Sequence, residues 1–370
     1  MFKYYPKHKK YIAEENYEMK RNNLFEFATG ELSQDAFLCW CANWTNFKNE
    51  KLFEMGRAFV ERVSDIHDIR SVDIYRQYEK IDVLLIVNDA VAVIIEDKTF
   101  TSEHDNQIIR YKDILNKKMK NGELVIEHKK YNITDIKTIF LKTGNFYSYD
   151  EQIAQSEFVD KVINRKDMME FVKGYVTYSE IVNDFYLRLV DLDNWYRNFE
   201  DLYQEKNYDE ALKEHWGQYF CAKDIFGGKK MFGEFSNANI IIENGSSFGR
   251  PYTWIWLWGK KDWYWLGYRI DCDNQGYFIS LRLYRNCKNA ENESIILNQK
   301  KEMYDNMKYR FKELSETYGL KVKLGGNRSG YNESEIGKLY FYENDIGKLK
   351  DNLYDIAKEL VLGCVPEETI

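Results

Sequence analysis

Asp82, Glu96 and Lys98 are the residues of this 370-residue chain whose types and spacing suit catalysis. Glu96 and Lys98 are two apart, so in a strand they share a face while Asp97 points to the other. Two carboxylates beside an ammonium suit the metal-assisted hydrolysis of a phosphodiester. A hard cation such as Mg²⁺ (or Mn²⁺) takes oxygen ligands, usually one or two carboxylates, and leaves its other positions to water and phosphate. It makes a hydroxide-like nucleophile and offsets charge developing on phosphorus. A lysine at the rim orients the attacking water or stabilises the transition state. Each charge taken singly is also what a strand end ordinarily shows to water. The joint spacing separates the two readings.

The elements that must hold these groups surround them. VLLIV (83–87) and VAVIIE (91–96) flank an Asn88-Asp89 turn. Both runs are short, rich in Val and Ile and bounded by polar residues, which predicts adjacent strands of a buried sheet. In an antiparallel hairpin the start of the first strand lies beside the end of the second, so Asp82 comes to the 96–98 end. The alternating stretch 71–78 is the strand before them, and its Asp73 is a rival acid with none of the metal-site pattern around it. An amphipathic helix is predicted over 101–118, with Ile108, Tyr111 and Leu115 as its buried stripe. Gln107 and Tyr111 are four apart and share a face. IKTIFLK (136–142) is the next strand, and helices are expected over 158–204. Upstream, the pattern is helical over 22–44, with Ser33 as N-cap and Phe37, Trp40 and Trp44 at helix-like intervals. Glu31, just before that start, either aims into the site or is a solvated acid favoured by the helix dipole.

The order Asp, hairpin, Glu-x-Lys, then a helix bearing Gln-x-x-x-Tyr resembles the PD-(D/E)XK nuclease superfamily, in particular its restriction-like bacterial members. The residues that carry the resemblance are Ile81-Asp82, Ile95-Glu96-Asp97-Lys98, Glu103, Gln107-Ile108 and Tyr111. Ile81 stands where the family's name puts proline. The resemblance implies an α/β fold, a restriction-endonuclease-like core in which a mixed sheet is flanked by helices. It implies Asp82 and Glu96 as metal ligands, Lys98 as the catalytic lysine, Gln107 and Tyr111 lining the site, and Glu31 in support. The implied partner is nucleic acid, DNA by analogy with restriction-like relatives, and a role in defence or repair follows from that analogy alone. The other reading is a non-cleaving scaffold on the same core, recognising a ligand or a protein through its C-terminal half. A scaffold has no need of all three of Asp82, Glu96 and Lys98.

Composition bounds these readings. At 44% hydrophobic and 31% charged residues the chain is a globular one, long enough for two domains. The division expected is a nuclease-like domain over 1–204 and an α+β recognition or assembly domain over 205–370, which leaves room for a homodimer or a protein partner. A net charge of −7 counts against a protein that coats nucleic acid non-specifically and is compatible with one that has a local basic cleft. Lys112, Lys117, Lys118, Lys120, Lys129 and Lys130 form a candidate basic patch, read either as a solvated face or as a holder of backbone phosphates. No apolar run approaches the ~20 residues of a membrane span. The start, MFKYYPKHKK, has no signal-type apolar stretch, so a cytoplasmic location is expected. Six cysteines and five histidines show no CxxC and no His-x-x-x-His pattern, which points to free thiols and no structural zinc. In the C-terminal half, Trp254, Trp256 and Trp258 are expected on one strand face and Trp263 with Trp265 as a second pair, as sheet core rather than a base-stacking platform. GGNRSGYNESE lacks the following Lys-Ser/Thr of a phosphate-binding loop.

Overall fold

Branched side chains pack well on a pleated surface, and the Val and Ile runs build the centre of the N-terminal unit. The computed structural model describes residues 22–101, 106–247, 249–259, 264–285, 293–326 and 333–364. Helices α1 (Glu31–Asn43) and α2 (Phe53–Ser64) come first. Strands β1 (Val72–Tyr78), β2 (Ile81–Val87) and β3 (Val91–Lys98) follow, then α3 (Gln107–Lys118). A small hairpin of β4 (Glu123–Ile126) and β5 (Lys129–Asn132) leads to β6 (Asp135–Lys142). Next come α4 (Ser148–Ala154), β7 (Lys161–Asn164), α5 (Arg165–Lys173) and the long helix α6 (Glu180–Gln204). The five-stranded sheet runs β1-β2-β3-β6-β7, antiparallel from β1 to β3 and parallel from β3 to β7. It is the mixed, helix-flanked sheet that the motif order implies.

Turn chemistry sets the register of its central hairpin. Asn88 and Asp89 both take a left-handed φ of 56°, a backbone that Asn and Asp tolerate, and the Ala90 N–H closes the turn on the Val87 carbonyl at 3.1 Å. The β2–β3 ladder then pairs Val87↔Val91 through Val83↔Ile95. Val83, Leu85, Val93 and Ile95 pack in one core with α1, α2, α5 and the first half of α6. Leu84, Ile86 and Ile94 face α3 and the β4–β5 hairpin through Tyr111, Leu115 and Tyr131.

Helix α1 starts earlier than its pattern suggests. Gly30 is the N-cap and Ser33 lies inside the first turn, its N–H bonded to the Gly30 carbonyl at 2.9 Å. Glu31 is therefore the first helical residue. The segment between α3 and β6 holds the β4–β5 hairpin, because Glu127 and His128 supply a pair of left-handed turn residues. Three lysines of the expected basic patch are engaged by carboxylates there and nearby: Lys118 by Glu79, Lys129 by Asp73, and Lys130 by Glu123. The region expected as wholly helical over 158–204 also contains β7.

The second unit begins with α7 (Tyr208–Ala211) and α8 (His215–Phe226). Strands β8 (Phe232–Gly233), β9 (Ile241–Ser247), β10 (Arg250–Gly259), β11 (Tyr264–Asp273) and β12 (Gly276–Arg285) follow. Helix α9 (Glu293–Thr317), strands β13 (Lys323–Leu324) and β14 (Glu333–Tyr340), and α10 (Ile346–Cys364) complete it. The sheet order is β13-β14-β12-β11-β10-β8, with β9 on β10, and α8, α9 and α10 pack on it through Phe226, Phe311 and Leu353. Trp254 and Trp256 stack with ring centroids 4.3 Å apart, but the three tryptophans do not share a face. The register shifts between Trp256 and Trp258. That extra residue inverts the alternation, and Trp258 joins Ile255 and Leu257 in the core at 1% exposure. Trp254 is buried and Trp256 and Trp265 are half-buried. Trp263 and part of the Gly-rich loop lie outside the described residues.

Helix α6 belongs by chain to the first unit and by packing to both. Val182, Phe185 and Leu189 enter the first core, whereas Leu192, Tyr196, Phe199 and Tyr203 enter the second. No helix among the described residues is long and apolar enough to cross a membrane.

The ends of β3 and β6 are stitched together beside Gly144. Thr143 N–H bonds to the Lys98 carbonyl at 3.0 Å, and a Cβ on Gly144 would sit 1.8 Å from the Thr99 carbonyl oxygen. Backbone cannot yield as a flexible side chain can. Gly144→Ala is therefore expected to lose at least the ~1–3 kcal/mol typical of overpacking, read as a lower denaturant midpoint with an unchanged slope.

Candidate active site

The β2–β3 ladder stops at Val83↔Ile95, one residue short of Asp82. Beyond it the Asp82 carboxylate replaces the ladder: its Oδ2 accepts the Asp97 backbone N–H at 3.1 Å. Lys98 Nζ lies 3.7 Å from the same oxygen and is ion-paired with Glu96 Oε1. Asp82 and Glu96 thus converge on one cationic point. Glu96 is fully buried, Lys98 is 6% exposed and Asp82 16% exposed, so the point opens to solvent on the Asp82 side. Burial pulls the Lys98 pKa down, but the charges of Glu96 and then Asp82 outweigh it and hold the ammonium above the usual lysine range.

Gln107 and Tyr111 approach from α3. Gln107 is nearly buried and its Nε2 donates to the Tyr111 hydroxyl at 3.1 Å. Burial, then the Glu96 charge, push the Tyr111 phenol up, which places its ring in the field of the carboxylate pair. Glu31 serves the segment after Lys98. Its Oε1 accepts the Thr99 N–H at 3.0 Å and the Thr101 hydroxyl at 2.7 Å. Glu103 lies outside the described residues.

Period-two alternation turns Asp97 to the opposite side of the sheet, against α1. It accepts a hydrogen bond from Gln34 Nε2, and Asp35 lies beside it. Burial raises Asp35 to about 6, with the Asp82 charge adding to it, and burial followed by Asp35 raises Asp97 well above the carboxylate range. Asp35 Oδ1 and Asp97 Oδ2 are buried with no hydrogen-bond partner among the other described residues. A proton shared by the pair would give these oxygens a donor.

A second lysine stands one strand over. Parallel pairing aligns Lys142 with Lys98. Lys142 is fully buried, its Nζ 2.9 Å from Asp150 of α4 and donating to the Thr101 carbonyl at 2.6 Å. Burial lowers its pKa, against the pull of Asp150. Lys142 and Glu31 thus grip the 99–101 turn from two sides. Helix α4 rests in turn on the second unit, where Ser148 Oγ meets the Tyr219 hydroxyl at 3.1 Å and Glu151 pairs with Lys223.

A family model described as the PD-(D/E)XK nuclease superfamily matches residues 23–215, more than half of the chain. The chain belongs to the PD-(D/E)XK nuclease superfamily. No curated protein and no solved structure was found to match it. For a PD-(D/E)XK chain the question is whether the donors suit a divalent ion. No group of three His, Cys, Asp or Glu side chains among the described residues is arranged to hold a metal. Asp82 and Glu96 offer oxygen alone and converge on one point, which fits a hard ion that takes two carboxylates and keeps its waters.

Gln34, Asp35, Gln77, Lys142 and Asp150 were not singled out by sequence. Gln34 and Asp35 lie within the first turns of α1 after Glu31, a spacing that could have marked them. Lys142 is set by parallel pairing across an intervening helix, for which the local sequence carries no mark.

Proposed function

We propose that this PD-(D/E)XK protein is a divalent-metal-dependent nuclease that hydrolyses phosphodiester bonds in nucleic acid, with DNA the favoured substrate. The observation that carries the reading is the convergence of Asp82 and Glu96 on Lys98 Nζ at a solvent-open strand end. Asp82 and Glu96 would hold Mg²⁺ or Mn²⁺. When bound, the ion supplies charge neutralisation at the phosphate and acidifies water. Lys98, held protonated, donates to a non-bridging oxygen as negative charge accumulates on the phosphoryl group. Gln107, on the α3 side, orients substrate or water through its amide. Glu31 keeps the 99–101 turn in place so that Lys98 does not swing out. The unit over 205–370 is assigned recognition or assembly, with the division at 204/205.

Supercoiled plasmid, single-stranded DNA and RNA, each incubated with Mg²⁺, Mn²⁺ or EDTA, test the reading. Cleavage of at least one substrate with a divalent ion and none in EDTA is expected. No cleavage of any substrate, together with no thermal shift on adding either ion, is the scaffold's result and would overturn it.

A further inference from the structure

Gln77 combines an unfavourable backbone with a bond to the proposed metal ligand. It lies within β1, opposite Asp82 in the β1–β2 register set by Arg76↔Val83 and Tyr78↔Ile81. Yet its φ is +56°, in the left-handed region, where a side chain with a Cβ costs backbone energy and which a strand interior does not ask for. Glu79 and Lys80, also left-handed, are the two turn residues of the β1–β2 hairpin and need no further account. Gln77 precedes that turn. The distortion aims its amide at two carboxylates: Nε2 donates to Asp82 Oδ1 and to Asp35 Oδ2, each at 3.1 Å.

Each Asp82 oxygen then has a defined task. Oδ1 is held by Gln77, while Oδ2 takes the Asp97 N–H and faces Lys98. Without the amide, Asp82 Oδ1 and Asp35 Oδ2 would be two acceptors facing one another with no donor between them, and the Asp82 charge already raises Asp35. The carboxylate would rotate away from Asp35 and leave its angle towards Glu96. We propose that Gln77 is a positioning residue that fixes the Asp82 carboxylate for a divalent ion, its strained backbone being retained for that purpose. The proposal rests on the nuclease reading of the same site and adds to it a residue from outside the Asp, Glu-x-Lys motif. Outer-shell partners that orient a ligating group are commonly worth 10–100-fold in metal affinity or activity.

Gln77→Gly gives opposite signs for a structural and a positioning role. Glycine takes a left-handed φ without penalty, and Gln77 is exposed, so no core contact is lost. In EDTA the variant should melt at or above the wild-type temperature. The Mg²⁺ or Mn²⁺ concentration that gives half of the thermal shift should rise by roughly 10–100-fold, with a fall in kcat for plasmid cleavage. Gln77→Asn tolerates the same backbone with an amide one methylene shorter, and should show the same weakened metal response. If either variant titrates with metal and cuts like wild type, Gln77 does not position Asp82. A lower melting temperature of Gln77→Gly in EDTA with an unchanged metal midpoint would show the amide to be a β1–α1 tie only. If the wild-type chain itself shows neither a metal shift nor cleavage, the nuclease reading fails and this inference with it.

Discussion

Lys98→Ala is expected to reduce divalent-dependent plasmid cleavage by roughly 10²–10³-fold or more, the scale of losing a buried donor to transition-state charge. Metal and DNA binding should largely survive, because the lysine is proposed to serve the transition state rather than the ground state. A second effect falls on the metal-free protein. Lys98 is ion-paired with Glu96, whose side chain is fully buried. Removing one partner of a buried pair leaves an uncompensated charge and costs about 3–5 kcal/mol. A divalent ion would restore the missing positive charge, so the thermal shift on adding Mg²⁺ should be larger in Lys98→Ala than in wild type. Thermal melts with and without Mg²⁺, beside a cleavage time course, measure both. A variant that cuts at the wild-type rate would refute the role of Lys98, and a Mg²⁺ shift smaller than wild type would refute a metal at the Asp82–Glu96 pair.

Asp82→Ala should remove cleavage and the metal-induced thermal shift together, since it takes away a ligand. Its effect in EDTA is a balance. The variant loses the acceptor of the Asp97 N–H and one neighbour of Lys98. It also loses a negative charge that bears on Asp35 and Asp97. These oppose one another, and the metal-free stability should stay within about 1–2 kcal/mol of wild type. Urea denaturation in EDTA and a Mg²⁺ titration followed by melting temperature separate the two effects. An unchanged thermal response to Mg²⁺ would make Asp82 an ordinary strand-end charge and hand the chain to the scaffold reading.

Local pattern carried much of the first sheet. The Val and Ile runs, the Asn88-Asp89 turn and the two-residue spacing of Glu96 and Lys98 are short-range features, and the strand order around them follows from the motif order. Longer-range features were not legible. The alignment of Lys142 with Lys98 depends on a parallel pairing across a helix and a hairpin. The tilt of Asp82 depends on Gln77, whose left-handed backbone occurs at a residue type that gives no warning of it. The bulge before Trp258 is likewise silent, because Trp-Ile-Trp-Leu-Trp reads as unbroken alternation until the partner strand skips a residue. The start of α1 was misplaced because Ser33 is a better cap by type than Gly30. The glycine lies just before Glu31, whose carboxylate is engaged with the 99–101 turn.

A 25-residue helix is about 37 Å of stiff rod, so α6 is a lever as well as a wall. Its midpoint bears on the end of β6: the Tyr196 hydroxyl would lie 3.0 Å from a Cβ on Gly144, and its ring lies under the Arg165 guanidinium, which also bonds the Thr143 carbonyl. The outer half of α6 packs on α7 and α8 through Tyr196–Trp216, Tyr203–Tyr208 and Tyr203–Phe220, so tilting it against them would press on the backbone that adjoins Thr99. A chimera that exchanged the C-terminal unit at Gln204 would keep a half-helix shaped for a core it no longer meets. The junction that preserves both cores must carry Leu192 to Tyr203 along with the unit they pack into.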